Sequence, residues 1–188
     1  MHRKRSTVSH CDTSVSMKRS RKFPVVAVGG TFDLVHKGHR KLLDTAFQLG
    51  ETVMIGVTSD RFVKKLHKPH KVDSYEIREK ELKKLLNRRS WLGRSTIVSI
   101  ENPYGPTTKE KNIDALVVSQ RTKPTAELIN RLRHRKGLRP LHIVPITLVQ
   151  AEDSRPISTT RIRRGRIDRE GHILFKPFKP KVTSKLKS

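Results

Sequence analysis

Two blocks of the sequence, about 120 residues apart, carry side chains that are suited to binding phosphate. The first is GGTFDLVHKGH over residues 29–39, where two glycines precede His36 and His39. Paired glycines let the main chain turn sharply and come close to a ligand. Main-chain N–H groups at a helix N-terminus favour phosphate, and the two imidazoles can donate hydrogen bonds to its oxygens. The block therefore predicts an anion site between a strand and a helix.

The second block is EDSRPISTTRIR over residues 152–163. Hydroxyl side chains at the start of a helix cap its free N–H groups or turn them toward an anion, and Arg161 and Arg163 add cationic donors. Each block also has a simpler explanation, namely a surface histidine pair beside a tight turn, or a capped helix with solvated arginines. The HxxH spacing would suit a metal, but no third ligand is evident, so we predict no metal site.

Short apolar runs alternate with segments of helical periodicity along residues 24–165. The runs predict strands over 24–29, 52–58, 96–100, 115–119 and 142–146, and the periodic segments predict helices over 39–49, 75–86, 124–136 and 158–165. This order predicts an α/β fold with a parallel sheet of about five strands and helices on both faces. Ligands bind beyond the carboxyl ends of such strands, so the loops after Gly29, Thr58, Ser119 and Ile146 should surround one site.

The formal net charge of +25 is spread unevenly along the 188 residues. Residues 1–22 carry +6 and residues 176–188 carry +5, and both ends lack an apolar period. We therefore expect a flexible basic extension at one end and a flexible Lys-rich tail at the other. No apolar run approaches the roughly 20 residues that a membrane span requires, which excludes a membrane protein and favours a cytoplasmic one. The single cysteine, Cys11, excludes an internal disulfide framework.

In combination, GGTFDxxHxGH and ISTTRIR resemble the nucleotidyltransferase superfamily that carries HxGH and ISSTxIR signatures. Four further segments are similar to the archaeal-type phosphopantetheine adenylyltransferases and to the matching domain of eukaryotic coenzyme A synthase: GVTSDR (56–61), NPYGP (102–106), LVVS (116–119), and AED (151–153) ahead of PIS (156–158). The resemblance covers about residues 24–173 and implies a Rossmann-like nucleotidyltransferase domain over residues 23–175.

The resemblance implies transfer of the adenylyl group of ATP, with Mg²⁺, to 4′-phosphopantetheine, giving dephospho-coenzyme A and pyrophosphate in coenzyme A biosynthesis. It places His36 and His39 on the α- and β-phosphate oxygens and Thr31 on the acceptor or α-phosphate. It assigns the remaining ATP contacts to Gly29, Gly30, Phe32 through its main-chain N–H, Asp33, Gly38, Ser158, Thr159, Thr160 and Arg161.

The acceptor phosphate needs a cation, and we expect a lysine of the loop after the second strand. Lys65 is favoured over Lys64, Lys68 and Lys71, although the sequence does not decide among them. Ser119 and Arg121 are the other candidate acceptor contacts. The segment Gln120-Arg121-Thr122 departs from the family, which commonly has an acidic residue before the threonine.

Two alternatives stay open at this point. The protein could be a cytidylyltransferase, since ISTT and GTFDxxHxGH also occur there, or an adenylyltransferase for another phosphate. It could instead be a basic nucleic-acid-binding protein, because the tails and the run RLRHRKGLR over residues 131–139 are strongly cationic. Under the main interpretation, nucleic acid is only a secondary contact of the tails. The sequence does not indicate an oligomeric state.

Overall fold

The computed structural model of the protein describes residues 21–174, so the tails over 1–20 and 175–188 lie outside the described residues. Five strands form one sheet in which all pairings are parallel. Their bounds are Phe23–Gly30 (β1), Gly50–Thr58 (β2), Ser95–Ile100 (β3), Ala115–Ser119 (β4) and His142–Ile146 (β5). The strand order is β3-β2-β1-β4-β5, which confirms the predicted α/β fold with a five-stranded parallel sheet.

Within residues 21–174, five α-helices connect and follow the strands: Lys37–Leu49 (α1), Asp60–Lys65 (α2), Tyr75–Arg88 (α3), Lys123–Arg135 (α4) and Thr159–Arg163 (α5). Short 3₁₀ turns lie at Leu92–Arg94 and Gly105–Thr108. Gly50 follows α1 as its C-cap, as a glycine after a helical period indicates, and its N–H donates to the carbonyl of Ala46. Ser74 precedes α3 at the N-cap position, but its side chain makes no capping hydrogen bond.

The sheet is covered on both faces, as parallel sheets require. On one face, Val26 and Val28 of β1 belong to a core cluster that includes Leu43 of α1 and Leu82 of α3. On the other face, Ala27 belongs to a second cluster, which contains Ala126 and Ile129 of α4. Successive residues of β1 thus point to opposite faces, which explains why the strand is an unbroken apolar run rather than an alternating one.

Two details of the sequence prediction were wrong. The loop expected after β2 begins with helix α2, which Ser59 caps by accepting the N–H of Phe62 at 3.0 Å. In the helix predicted over 75–86, the periodic apolar pattern places Ile77 on the buried face, but Ile77 is 53% exposed while its neighbour Arg78 is 1% exposed. The buried stripe of α3 runs through Arg78 and Leu82, four positions apart, so the helix turns Ile77 outward.

The basic run over residues 131–139 is not a purely solvated face. Arg133 is 1% exposed, and its guanidinium donates to three main-chain carbonyls, those of Thr107 (2.6 Å), Glu110 (2.8 Å) and Arg139 (2.7 Å). Lys136 also donates to the carbonyl of Thr108. These bonds fasten the turn after β3 to the C-terminal end of α4, so part of the run is structural.

None of the helices within residues 21–174 combines the length and the apolar character that crossing a bilayer requires.

We expect Arg133→Met to lower the free energy of unfolding by about 3 kcal/mol, because three carbonyls lose their donor in a buried setting. Arg131→Met makes the same chemical change at an exposed position of the same helix and should cost less than about 0.5 kcal/mol. Urea unfolding followed by circular dichroism measures both values. Equal costs in the two variants would contradict the structural role of Arg133.

Candidate active site

The strand order places the site at a topological switch point. The chain leaves β1 toward β2 on one side, while β4 lies on the other side of β1. Two neighbouring cavities lie at the carboxyl ends of these strands, and Gly29, Gly30, Val118 and Thr122 line both of them. The loops predicted to surround one site therefore surround two adjoining cavities.

The larger cavity, of about 290 Å³, is lined mostly by apolar groups, and we call it the apolar cavity. Its walls come from the ends of β1 to β4, from α2 and α4, and from the NPYG turn that follows β3. Thr31 and Lys68 also line it. The sequence had not placed the end of β3 at the site, although NPYG was one of the segments that carried the family resemblance.

The smaller cavity, of about 200 Å³, is lined by the start of α1, the ends of β4 and β5, and residues 147–149. His36, Gly38 and His39 line it, and we call it the histidine cavity. Ser119 lines it as well. A β-carbon at Gly38 would lie 3.0 Å from the His36 ring, so the glycine lets that ring fold back over the helix start.

The two histidines form a reciprocal cap at the start of α1. His36 Nδ1 accepts from the N–H groups of Gly38 (3.1 Å) and His39 (3.4 Å), and His39 Nδ1 accepts from the His36 N–H at 3.5 Å. The rings stack with centroids 3.9 Å apart. Because both Nδ1 atoms accept, we assign the proton of each neutral ring to Nε2, which leaves two N–H donors for a ligand.

The surroundings keep both rings neutral. Burial, with the charges of Arg40 and Arg169, lowers the pKa of His36 to about 4 against the weaker opposing effect of Asp33. Burial, with His36 and Arg40, lowers the pKa of His39 well below its usual value. Near neutral pH the pair therefore offers hydrogen-bond donors without a net charge.

A buried ion pair joins the two sequence blocks. Asp33 is 1% exposed, and its carboxylate accepts from Arg163 at 2.6 and 3.1 Å, which raises the pKa of that arginine further. Thr159 Oγ1 also donates to the main-chain carbonyl of Asp33 at 2.8 Å. Asp33 and Thr159 were predicted as ATP contacts; in this structure the Asp33 carboxylate and the Thr159 hydroxyl bond to the protein itself.

The remaining residues of the second block also bond within the protein. Ser158 caps α5 by accepting the Arg161 N–H at 3.4 Å. Thr160 Oγ1 lies 3.2 Å from His70 Nδ1, and the Arg161 guanidinium pairs with Asp153 at 2.5 Å. Their predicted contacts with the β- and γ-phosphates stay predictions.

The main chain between β1 and α1 is strained. Phe32 and Leu34 have positive φ angles of 51° and 47°, a region that residues other than glycine seldom adopt. Phe32 is fully buried, and its ring lies against Gly30 and 5.2 Å from the His39 ring. Packing of this ring therefore fixes the path of the loop, as is common where strain persists near functional sites.

Arg78 is a positioning residue that sequence reasoning missed. Its guanidinium donates to the carbonyls of Thr31 (2.8 Å) and Asp73 (2.9 Å) and to the carboxylate of Asp60 (2.8 Å). It thereby links the end of β1 to α2 and α3. A signal existed, because Arg78 continues the helical spacing of Tyr75, Leu82 and Leu85, but a charged side chain there is usually solvated.

The candidate acceptor contacts fall in different places. Lys65 is exposed in the last turn of α2 and is not among the residues that line either cavity, whereas Lys68 lines the apolar cavity. Arg121 is exposed and lines neither cavity. The structure therefore brings together Thr31, His36, His39 and Ser119, and adds Lys68 to them.

The fold and this site have clear counterparts among known proteins. The family model described as cytidylyltransferase-like matches residues 27–165, so the domain is of this class of nucleotidyltransferase. The phosphopantetheine adenylyltransferases of Methanothermobacter thermautotrophicus and Pyrococcus horikoshii are 47% and 40% identical to the chain; the matches span 82% and 86% of it, and 92% and 99% of theirs. The chain therefore belongs to the phosphopantetheine adenylyltransferase family.

A crystal structure of an Archaeoglobus fulgidus protein whose function is given as unknown is 39% identical, with a TM-score of 0.58. The match covers 64% of this chain and 87% of that one. It supports the same fold.

We expect the His36 ring to protonate near pH 4 in the folded protein, against about 6.5 in the unfolded chain. Between these values the unfolded chain binds more protons, so the free energy of unfolding should fall as the pH drops from 6.5 toward 4. NMR titration of the ring and urea unfolding at several pH values measure both effects. His36→Asn keeps a capping oxygen but does not titrate, so it should lose less stability over this range. A midpoint near 6.5 would contradict the neutral, buried ring.

Proposed function

We propose that the protein transfers the adenylyl group of ATP to 4′-phosphopantetheine, releasing pyrophosphate and forming dephospho-coenzyme A. The observation that carries this proposal is the meeting of two unlike cavities at Gly29 and Gly30. The apolar cavity has mostly apolar walls, and the histidine cavity presents two neutral N–H donors. The names of the archaeal relatives support the same pair of substrates.

The apolar cavity suits the pantetheine arm of the acceptor. Its lining is chiefly aliphatic and aromatic, and the NPYG turn contributes Tyr104. Thr31, with an intermediate exposure, and Lys68 supply a hydroxyl and a cation for the phosphate end. We therefore assign the acceptor phosphate to Lys68 rather than to Lys65.

ATP would occupy the histidine cavity with its α-phosphate beside the shared glycines. His36 and His39 would donate their Nε2–H groups to the α- and β-phosphate oxygens, where negative charge builds up as the reaction proceeds. Neutral donors suit this task because a neutral imidazole N–H is a very weak acid, so it donates a hydrogen bond to the phosphate without giving up its proton. Ser119, predicted from the sequence to contact the acceptor, lines this cavity rather than the apolar one, and we assign it to the nucleotide instead.

The reaction needs little covalent help from the protein. An oxygen of the acceptor phosphate, already anionic, forms a bond to the α-phosphorus, and the bond from that phosphorus to the α–β bridging oxygen breaks in line with it. Pyrophosphate leaves with the electron pair, and no proton has to move. The chain's contribution is the alignment of two bound substrates and stabilisation of charge on the leaving group.

Mg²⁺ would accompany the nucleotide and neutralise part of the triphosphate charge. Within residues 21–174 no group of three or more His, Cys, Asp or Glu side chains could hold a metal ion. Asp33, the carboxylate nearest in sequence to the histidines, is already paired with Arg163. Phosphate oxygens and water are therefore the ligands we expect.

His39→Ala should lower kcat at least about 100-fold, because it removes one charge-stabilising donor. Release of pyrophosphate from ATP and 4′-phosphopantetheine measures the rate, and His134→Ala, an exposed change on α4, is the control. Turnover near that of the wild type would contradict this site. If CTP with glycerol or choline phosphate reacts and this pair does not, the proposed function is wrong.

Lys68→Ala should raise KM for 4′-phosphopantetheine about tenfold, the usual effect of losing one charge-assisted hydrogen bond. Lys65→Ala, three residues earlier in the same run, should change it less than about twofold because Lys65 lines neither cavity. Steady-state kinetics at saturating ATP separate the two. A larger rise of KM in Lys65→Ala than in Lys68→Ala would assign the acceptor phosphate to Lys65.

A further inference from the structure

One segment of the chain extends from the apolar cavity to the second sequence block. This bridging segment, residues 66–74, connects α2 to α3. Near its start, Leu66 and Lys68 line the apolar cavity. Two residues after Lys68, His70 contacts Thr160 of α5. A ligand bound at Lys68 and a ligand bound at Thr160 would therefore be separated by only a short length of chain.

His70 makes this contact in a nearly buried position, with its side chain 9% exposed. Its Nδ1 lies 3.2 Å from Thr160 Oγ1, and its Nε2 lies 3.7 Å from an oxygen of Asp33. Asp73, at the far end of the segment, donates its N–H to Asp33 at 3.2 Å, and its carboxylate pairs with Arg163 at 2.8 Å. The segment is therefore bound to both sequence blocks.

The neighbours of His70 determine which of its ring nitrogens donates and which accepts. Nε2 faces a carboxylate, so a proton on Nε2 is favoured, and a lone pair there would be repelled. Nδ1 then accepts the single hydroxyl proton of Thr160. This hydrogen bond fixes the rotamer of Thr160 and ties the first turn of α5 to the bridging segment.

We propose that His70 is a positioning residue that couples the two substrate sites through its hydrogen bond with Thr160. An acceptor phosphate held by Lys68 restricts the bridging segment, and His70 then holds Thr160 and the start of α5 in one arrangement. Binding of one substrate therefore raises the affinity for the other, and the effect is reciprocal. This inference rests on the proposed function for the identity of the two substrates.

The test measures the coupling directly in the full-length protein. The probe is the ATP analogue with a methylene group in place of the α–β bridging oxygen, which cannot release pyrophosphate. Its Kd is measured by calorimetry alone and with saturating 4′-phosphopantetheine. We expect the acceptor to tighten analogue binding about fivefold or more in the wild type, the lower end of typical coupling between sites. In His70→Ala the two values should agree within about twofold.

Matched variants separate positioning from general destabilisation. His70→Asn places an amide oxygen where Nδ1 lies, so it should keep the coupling, whereas His70→Gln extends past Thr160 and should lose it. His67→Asn is the control within the same segment, because His67 is exposed and its φ of 45° is one that asparagine tolerates. It should keep the coupling of the wild type.

The outcomes are distinguishable. Coupling that persists in His70→Ala, or that His70→Asn loses while His70→Gln keeps it, would overturn the inference. An active wild-type enzyme that shows no coupling would overturn it too while leaving the proposed function intact. A wild type that releases no pyrophosphate from ATP and 4′-phosphopantetheine would overturn both. If His70→Ala fails to fold, the comparison of His70→Asn with His70→Gln decides.

Discussion

The arrangement of the site depends on the buried ion pair between Asp33 and Arg163. These residues are 130 positions apart, and each belongs to one of the two sequence blocks. The pair is bidentate, and Asp33 is almost without solvent contact. A buried pair of this kind adds little net stability, but the loss of one partner leaves the other charge without compensation. It therefore selects one arrangement of the two blocks over others.

The segment after β5 needs such a connection because its own apolar contacts are few. Ala151, Ile157 and Ile167 form a small cluster apart from the two clusters that cover the sheet. The chain returns toward α1, where the Lys37 N–H donates to the carbonyl of Arg169 at 2.9 Å. This return brings the Arg169 charge near His36, where it contributes to the low pKa of the ring. The low pKa of His36, which burial lowers most, thus also receives a contribution from a segment far away in sequence.

The sequence was sufficient for features that depend on local pattern. Strands β4 and β5 match their predicted bounds to the residue, because each is a short, mostly apolar run between loops. The histidine pair lies at the start of α1 as its glycine-flanked position indicated. The burial of Arg78 and the pairing of Asp33 with Arg163 could not be predicted from a local sequence pattern. Both depend on carbonyls and carboxylates that come together only after the sheet has formed.

Hydrogen bonds inside the protein occupy part of its positive charge. Buried and half-buried arginines act here as internal crosslinks, because one planar guanidinium can donate to several main-chain carbonyls at once. Arg94 donates to the carbonyls of Phe47, Gly50 and Glu51, and Arg133 and Arg78 do the same elsewhere. An arginine whose N–H groups donate to carbonyls inside the protein has few donors left for a polyanion such as nucleic acid. The excess of positive charge in the folded part of the chain is therefore weaker support for nucleic-acid binding than its size suggests.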